Sequence, residues 1–356
     1  MPALVTAIDP PPTVARMSGP QRSGHGDAAA PERALRALVG VVVAVTAAVV
    51  TWHIAFSPTD FHFYYRGARL WLHGVDPYAV RPRASFRQLW PLWDRQFYPL
   101  PALLIVAPFT VLPMRLAHAT FIGAAAGALS WRLSRWAWWP LLVFCTPSFF
   151  MAAVIGQWSP WLTLGAITPT AGFLLAAKPT LGLACFAYRP SWRTVVGVAV
   201  MGAVSLALMP RWPVEWLENL HTVIGHRPPI VLPGGVVIAL AVARWRQPEA
   251  RLLLAMACVP QLAFFADQVP LFLSARTRRE ATFYALASSL VFLVWLWLTP
   301  TPVGDWYVLL GCYAPALYIV LRRPNEGPVP PWLERRVTRL PAWLRGRALR
   351  ADLSAP

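Results

Sequence analysis

The chain is short of charge, short of acids and almost without lysine. Only 13% of its 356 residues are charged, against about 25% in a soluble globular domain. Its 15 acidic residues face 32 basic ones, and Lys178 is the single lysine. Hydrophobic residues make up 57% and the mean hydropathy is +0.48. This composition excludes an ordinary soluble domain and predicts an all-α polytopic membrane protein.

Cysteine is also scarce, and its placement excludes two kinds of site. The four cysteines stand singly in apolar runs, with no C-x-x-C spacing. That argues against a zinc site and against a disulfide framework. The histidines around 221–226 also lack the spacing of a metal site. We therefore expect no metal and no cofactor.

The net charge of +17 comes from arginines in the tails and short loops. In a soluble chain such a charge would suggest nucleic acid. Here it follows the positive-inside rule, so we expect membrane lipids and not nucleic acid as surroundings. We place the protein in a bacterial inner (cytoplasmic) membrane with both termini in the cytoplasm. One conflict remains, because alternating spans leave Arg132 and Arg135 on the outer side.

Three regions follow from the distribution of apolar residues. Residues 1–34 predict a disordered cytoplasmic tail and 323–356 a basic amphipathic tail on the inner leaflet. Residues 35–322 predict the membrane domain, with an outer amphipathic loop over 57–98. Its apolar runs predict about 10–12 transmembrane helices. Several are short or broken by proline, and broken helices are tolerated where they line a cavity.

Asp60 is the first candidate catalytic residue. It stands just past the first apolar span, in the run Thr59-Asp60-Phe61-His62. A carboxylate at the mouth of a membrane helix is costly unless water or a partner solvates it. Asp60 is therefore either a base in a wet cavity or an idle, solvated helix-end acid. His62 is placed to tune it or to bind a phosphate.

Lys178 and Asp267 are charged residues in apolar surroundings. Lys178 interrupts the run Leu174–Thr180, where a compact ammonium suits a phosphate or a carboxylate. The alternative is snorkelling to an interface. Asp267 and Gln261 frame a polar turn, and an acid there is a candidate for function.

Two further polar residues have an ordinary structural interpretation beside a functional one. Asp76 lies in Gly74-Val75-Asp76-Pro77-Tyr78, where an acid before proline favours a simple turn. Gln157 opens a broken apolar segment and is at least as well explained as an interhelical hydrogen-bonding residue. Both stay open as substrate contacts.

Taken in order, these segments resemble glycosyltransferase family 87. The resemblance covers roughly residues 35–300, and the order of the motifs is more specific than any one of them. Two departures stand out: Gln261 replaces a histidine, and the stretch between Gly156 and Lys178 is shortened. The matching motifs are Asp60-Phe61-His62-Phe63-Tyr64, Gly74-Val75-Asp76-Pro77-Tyr78, Phe97-Tyr98-Pro99-Leu100-Pro101, Gly156-Gln157, Lys178-Pro179 and Val259-Pro260-Gln261 with Asp267.

The resemblance implies a C-type membrane glycosyltransferase fold and a hexose, by default mannose, taken from a polyprenyl phosphate on the outer face. It implies inversion with Asp60 as general base, a lipid or glycan acceptor, and no nucleotide sugar or divalent metal. Two alternatives stay open: a lipid or glycan transporter or flippase, and a non-catalytic relative that serves as a membrane-complex subunit. The implied donor- or substrate-binding residues are His62, Tyr64, Asp76, Tyr98, Gln157, Lys178, Gln261 and Asp267.

Overall fold

The computed structural model describes residues 29–55, 59–79, 95–220, 226–298, 305–327 and 341–346. Within these ranges every named element is a helix, and the one extended pairing is an isolated bridge between Arg227 and Gln261. The α-helices are α1 Ala29–Ile54, α2 Asp60–Leu72, α3 Leu100–Val106, α4 Met114–Ser134, α5 Pro147–Ile155, α6 Ser159–Ile167, α7 Pro179–Tyr188, α8 Trp192–Leu208, α9 Trp212–Leu220, α10 Pro248–Cys258, α11 Arg278–Leu298, α12 Asp305–Val308, α13 Ala314–Leu321 and α14 Ala342–Arg345.

Between the α-helices the chain forms 3₁₀ segments and one π turn, often started by proline. Proline lacks an N–H and fixes φ, so it ends one helix and suits the first turn of the next. The 3₁₀ segments are Ala107–Val111, Trp139–Cys145, Pro169–Ala177, Pro229–Val231, Gly235–Arg244, Phe265–Asp267 and Val269–Ser274, and the π turn is Leu309–Tyr313.

The described residues include two helices long and apolar enough to cross a membrane, Ala30–Ile54 and Arg278–Leu298. The number rises to four if each of two bent pairs forms one span: Leu100–Val111 with Met114–Ser134, and Trp192–Leu208 with Trp212–Leu220. The apolar runs alone predict 10–12. The difference arises because prolines divide most of those runs into pieces shorter than the roughly 20 residues that a bilayer helix needs.

The first two helices begin within regions that the sequence analysis assigned to a tail and to an outer loop. The tail was expected to reach residue 34, but α1 begins at Ala29, and Arg36 pairs with Glu32 one turn away at 2.5 Å. Within the predicted outer loop, α2 begins at Asp60 and ends at Leu72, just before Gly74 with its positive φ. Most of the two predicted tails, residues 1–28 and most of 323–356, lies outside the described ranges. Within the second tail, Ala342–Arg345 is a short helix.

Helices α1 and α4 pack in antiparallel contact along a seam of small residues. A Cβ added at Gly127 would lie 2.8 Å from Ala44 Cβ, and one added at Gly123 would lie 2.8 Å from the carbonyl oxygen of Ala44. The absence of side chains at both glycines therefore allows the backbones to approach.

The antiparallel packing of α1 and α4 resolves the conflict over Arg132 and Arg135. Farther along α1, the carbonyl of Trp52 accepts a hydrogen bond from Arg115 near the start of α4. The opposite end of α4, with Arg132 and Arg135, therefore lies beside the start of α1. That is the end of α1 with Arg33 and Arg36, so the arginines of both helices share one side.

An ion pair and a backbone hydrogen bond hold two of the other arginine-rich segments. Arg276 forms two hydrogen bonds with the buried Glu249, at 2.7 and 2.5 Å. Arg251, near the start of α10, donates to the carbonyl of Ala187 near the end of α7, so these two helices are antiparallel. Lys178 directly precedes α7 and lies about 15 Å from the arginine-rich end of that helix, at 1.5 Å per residue.

Candidate functional site

Gln157 lies at the centre of a polar network that joins its own segment to three others. Its Nε2 donates to Asp60 Oδ2 at 2.7 Å. Its Oε1 accepts from Lys178 Nζ at 3.2 Å and from Tyr98 Oη at 3.3 Å. Tyr98 Oη also lies 3.1 Å from Asp60 Oδ2, so its single proton is shared between two acceptors.

Lys178 completes the network with an ion pair. Its Nζ lies 2.7 Å from Asp267 Oδ1, and only 18% and 5% of the two side chains are exposed. The structure thus brings five sequence-predicted residues together: Asp60, Tyr98, Gln157, Lys178 and Asp267. Two carboxylates and one ammonium in so small a volume form an electrostatically coupled group.

Asp60 presents one occupied and one open carboxylate oxygen. Oδ2 accepts from both Gln157 and Tyr98. Oδ1 accepts no hydrogen bond from the described residues. It is nevertheless not among their fully buried polar atoms without a partner, so it keeps some exposure. The residue is half-buried. Asp60 is therefore held through one oxygen, while the other is open to solvent or a ligand.

The surroundings of Asp60 raise the pKa of its carboxyl above the ordinary value of 3.8. Burial is the largest cause; the charge of Lys178 acts in the opposite direction and that of Asp267 adds to the increase. The hydrogen bonds from Tyr98 and Gln157 lower it. Asp60 lies outside the candidate spans, and a raised pKa makes its carboxylate a stronger base than an exposed aspartate.

Local sequence fixes Asp60 at the first position of α2. Thr59 caps the helix, and the Thr59 N–H donates to His62 Nδ1 at 3.0 Å. An acid in the first turn also interacts favourably with the helix dipole. The cap therefore fixes the start of α2 at Asp60, and the hydrogen bonds from Tyr98 and Gln157 hold its carboxylate.

Tyr98 reaches the network because a short segment lies against α2. Gln96 Nε2 donates to the carbonyl of Phe63 at 2.9 Å, and Gln96 Oε1 accepts from the Tyr98 N–H at 3.2 Å. A Cβ at Gly67 would lie 1.8 Å from Gln96 Nε2, so only glycine leaves room. Gln96 is a positioning residue that the sequence analysis missed. Its place two residues before Tyr98 is the only signal that pointed to it.

Gly156 places Gln157 beside Asp60. It ends α5 in the left-handed region, at φ +72°, and the Gln157 N–H donates to the Ala152 carbonyl at 2.8 Å. A Cβ at Gly156 would lie 2.6 Å from Phe61 Cβ. Both the backbone conformation and the close approach require glycine here.

We expect Gly156→Ala to lower stability by about 2 kcal/mol or more, because a left-handed residue with a Cβ is strained and Phe61 must also move. Thermal unfolding in detergent measures the change. Gly202→Ala is the matched control, since nothing lies within 4 Å of its added Cβ inside α8. Equal melting temperatures for the two variants would contradict the tight approach at Gly156.

His62 and Asp76 lie outside the network. His62 Nδ1 accepts from the helix cap, and burial lowers the pKa of its imidazole from 6.5. A neutral ring suits a helix cap better than it suits a phosphate. Asp76 Oδ1 accepts from the N–H groups of Tyr78 and Ala79 at 2.8 and 3.3 Å, so it forms a turn.

Tyr64 and Gln261 also lie outside it. Tyr64 is fully buried, and its ring meets that of Tyr98 edge-on at 4.8 Å. Gln261 is buried among structural partners: it donates to the Met256 carbonyl at 2.5 Å and accepts from Gln268 at 2.8 Å. Gln261 therefore stabilises the turn that carries Asp267.

Ser159 connects the Gln157 segment to the Asp267 turn. Its hydroxyl donates a short hydrogen bond to the carbonyl of Ala266. The sequence analysis missed it, although a Ser-Pro pair at the start of a helix is a recognisable signal. Across the described ranges, no group of three or more His, Cys, Asp or Glu is placed to hold a metal ion.

Comparison of the chain with protein-family models, with curated proteins and with solved structures found no match. The fold and the network define the chain as a helical protein with apolar helices able to cross a membrane and with a buried polar centre.

Proposed function

We propose that the protein is a membrane glycosyltransferase of the family 87 type. It transfers a hexose, by default mannose, from a polyprenyl phosphate to a hydroxyl of a lipid or glycan acceptor, with inversion. One observation supports this most strongly: Asp60, with one open oxygen, and Lys178 bind opposite ends of the same Gln157 amide. A base and a cation are thus held side by side.

The reaction assigns each group a separate task. The acceptor hydroxyl oxygen attacks the anomeric carbon and passes its proton to Asp60 Oδ1. The bond from that carbon to the phosphate oxygen breaks, and its electron pair leaves with the lipid phosphate. Lys178 offers the cation that stabilises this anion. Asp267 keeps the ammonium in place before the donor binds.

A transfer assay tests the proposal. The purified protein in liposomes receives polyprenyl-phosphate [¹⁴C]mannose and a membrane-lipid extract as acceptor, and the other arms use the arabinose-linked donor and GDP-mannose. We expect label in an acceptor from a lipid-phosphate donor and none from GDP-mannose. A folded protein that neither transfers label nor releases polyprenyl phosphate with any of these donors would refute the proposal.

The pH dependence of transfer follows from Asp60. The base must be ionised, so activity falls as pH drops through the pKa of Asp60. Because that pKa is raised, we expect the acidic limb of kcat/KM at a higher pH than the ordinary value of 3.8. Initial rates across a pH series measure the limb. An acidic limb at or below 3.8 would show that Asp60 is not the titrating base.

A further inference from the structure

The orientation of the Gln157 amide is set by its neighbours. Its Oε1 faces the Lys178 ammonium and also the Trp158 backbone N–H at 3.0 Å. Both groups only donate, so an amide turned by 180° would place its NH₂ against them. At the other end an ionised Asp60 only accepts. The positions of Gln157 Oε1 and Nε2 therefore follow from which neighbours donate and which accept.

Gln157 is also fixed in position. Its side chain is 3% exposed. Its backbone follows the left-handed Gly156, which packs on Phe61, the residue next to Asp60. The amide is thus held against the start of α2. A cation at the amide oxygen strengthens the N–H donor at the other end, because neighbouring hydrogen bonds polarise one another.

We propose that Gln157 is a positioning residue that holds Asp60 by Oδ2, directs Oδ1 towards the reacting hydroxyl, and couples the protonation of Asp60 to the Lys178–Asp267 ion pair. This inference rests on the proposed function for the role of Oδ1. The coupling itself does not depend on which reaction the site performs.

Several charged or titratable groups surround Asp60, and they come from α2, from α4 and from three further segments. On α2, Tyr64 interacts with the charge of Asp60, and His62 lies two residues after Asp60 in the first turn. His118 of α4 stacks on Phe61 at 4.9 Å. The groups with the largest effects are Tyr98, Lys178 and Asp267. Of all these, only Tyr98 shares direct hydrogen bonds with both Asp60 and Gln157.

Gln157→Glu tests the coupling with almost no change in size. The new carboxylate replaces the donor 2.7 Å from Asp60 Oδ2, so two acids must share a proton, as close carboxyl pairs do. We expect the acidic limb of the transfer rate to move up by about one pH unit or more. Activity lost at neutral pH should return as pH rises. A purely structural defect would not recover with pH.

A second readout does not require transfer. Dicyclohexylcarbodiimide reacts with protonated carboxyls and leaves a stable N-acylurea, which mass spectrometry locates on the chain. In Gln157→Glu, we expect labelling of the carboxyl pair to persist to a pH about one unit or more above the native midpoint for Asp60. Gln157→Leu removes a donor that lowers the pKa of Asp60, so its midpoint should also rise. Asp76 lies in a backbone turn outside the network, so its labelling midpoint serves as the internal reference.

The outcomes separate the inference from the proposed function. Shifted labelling midpoints in both variants, with transfer absent from the native protein as well, would leave the coupling intact and refute the transferase. Native-like midpoints in both variants, with folding confirmed by size-exclusion chromatography, would overturn the inference even if the native protein transfers sugar.

Discussion

Asp60→Asn should lower kcat for sugar transfer by about 10²–10⁴-fold, the usual contribution of a general base. Asparagine has the same shape, and its Oδ1 can still accept from Gln157 and Tyr98, so donor binding should change little. What it lacks is the ability to take up the acceptor proton. Initial rates with polyprenyl-phosphate mannose in liposomes give kcat and KM separately.

Asp76→Asn is the matched control for this variant. Asn supports the same Asx turn through the N–H groups of Tyr78 and Ala79, and Asp76 lies outside the network. We expect its transfer rate to stay within about threefold of the native rate, since the turn is preserved. Undiminished transfer by Asp60→Asn would remove Asp60 from the mechanism.

Lys178→Met should cost both activity and stability. Its loss leaves Asp267 buried without its partner, and breaking a buried ion pair typically costs about 3–5 kcal/mol. Loss of the cation should also lower transfer by about 10²-fold or more, as loss of one stabilising group at a developing anion does. Unfolding by SDS in mixed micelles measures the first effect and initial rates the second.

The double variant Lys178→Met with Asp267→Asn separates the two effects. Removing the second charge relieves the unpaired carboxylate, so most of the lost stability should return, as expected for directly interacting residues. Activity should stay low because the cation is still missing. A stable and fully active double variant would show that Lys178 serves only to pair with Asp267.

The sequence indicated the participants in the network better than it indicated their contacts. Lys178 and Asp267 were recognised because a charge in apolar surroundings needs a partner. That they pair with each other was not predictable, since 89 residues separate them. Gln157 was predicted either as an interhelical hydrogen-bonding residue or as a substrate contact. Its bonds to Asp60 and Lys178 are of the first kind.

The helix boundaries were predictable where local signals are strong and not elsewhere. Gly74, with its positive φ, follows the end of α2, and a glycine shortly before Asp-Pro is a strong local signal for such an end. The early start at Asp60 depends on the Thr59 cap, which is one residue long and easily overlooked. Whether a proline-broken apolar run crosses the membrane or turns back depends on tertiary packing, and the hydropathy of the run does not contain that information.

Tyr98 and Asp76 show the limits of motif position. The family resemblance implied donor binding for both, while the residues around Asp76 favoured a simple turn. The structure places Tyr98 on Asp60 and Asp76 in a turn that supports the same region, where Tyr78 Oη donates to the Tyr98 carbonyl at 3.1 Å. Two residues from the same kind of motif therefore have different structural roles.

The seam between α1 and α4 has a practical consequence for titration. Its close contacts, at Gly123, Gly127 and Ala44, involve only backbone and methyl groups. None of these gains or loses a proton, so the contacts of the seam do not change with acidity; the charged contact between the two helices is the hydrogen bond from Arg115 to the Trp52 carbonyl. A buffer series can therefore probe the charges around Asp60 while the glycine and alanine contacts of this seam stay unchanged.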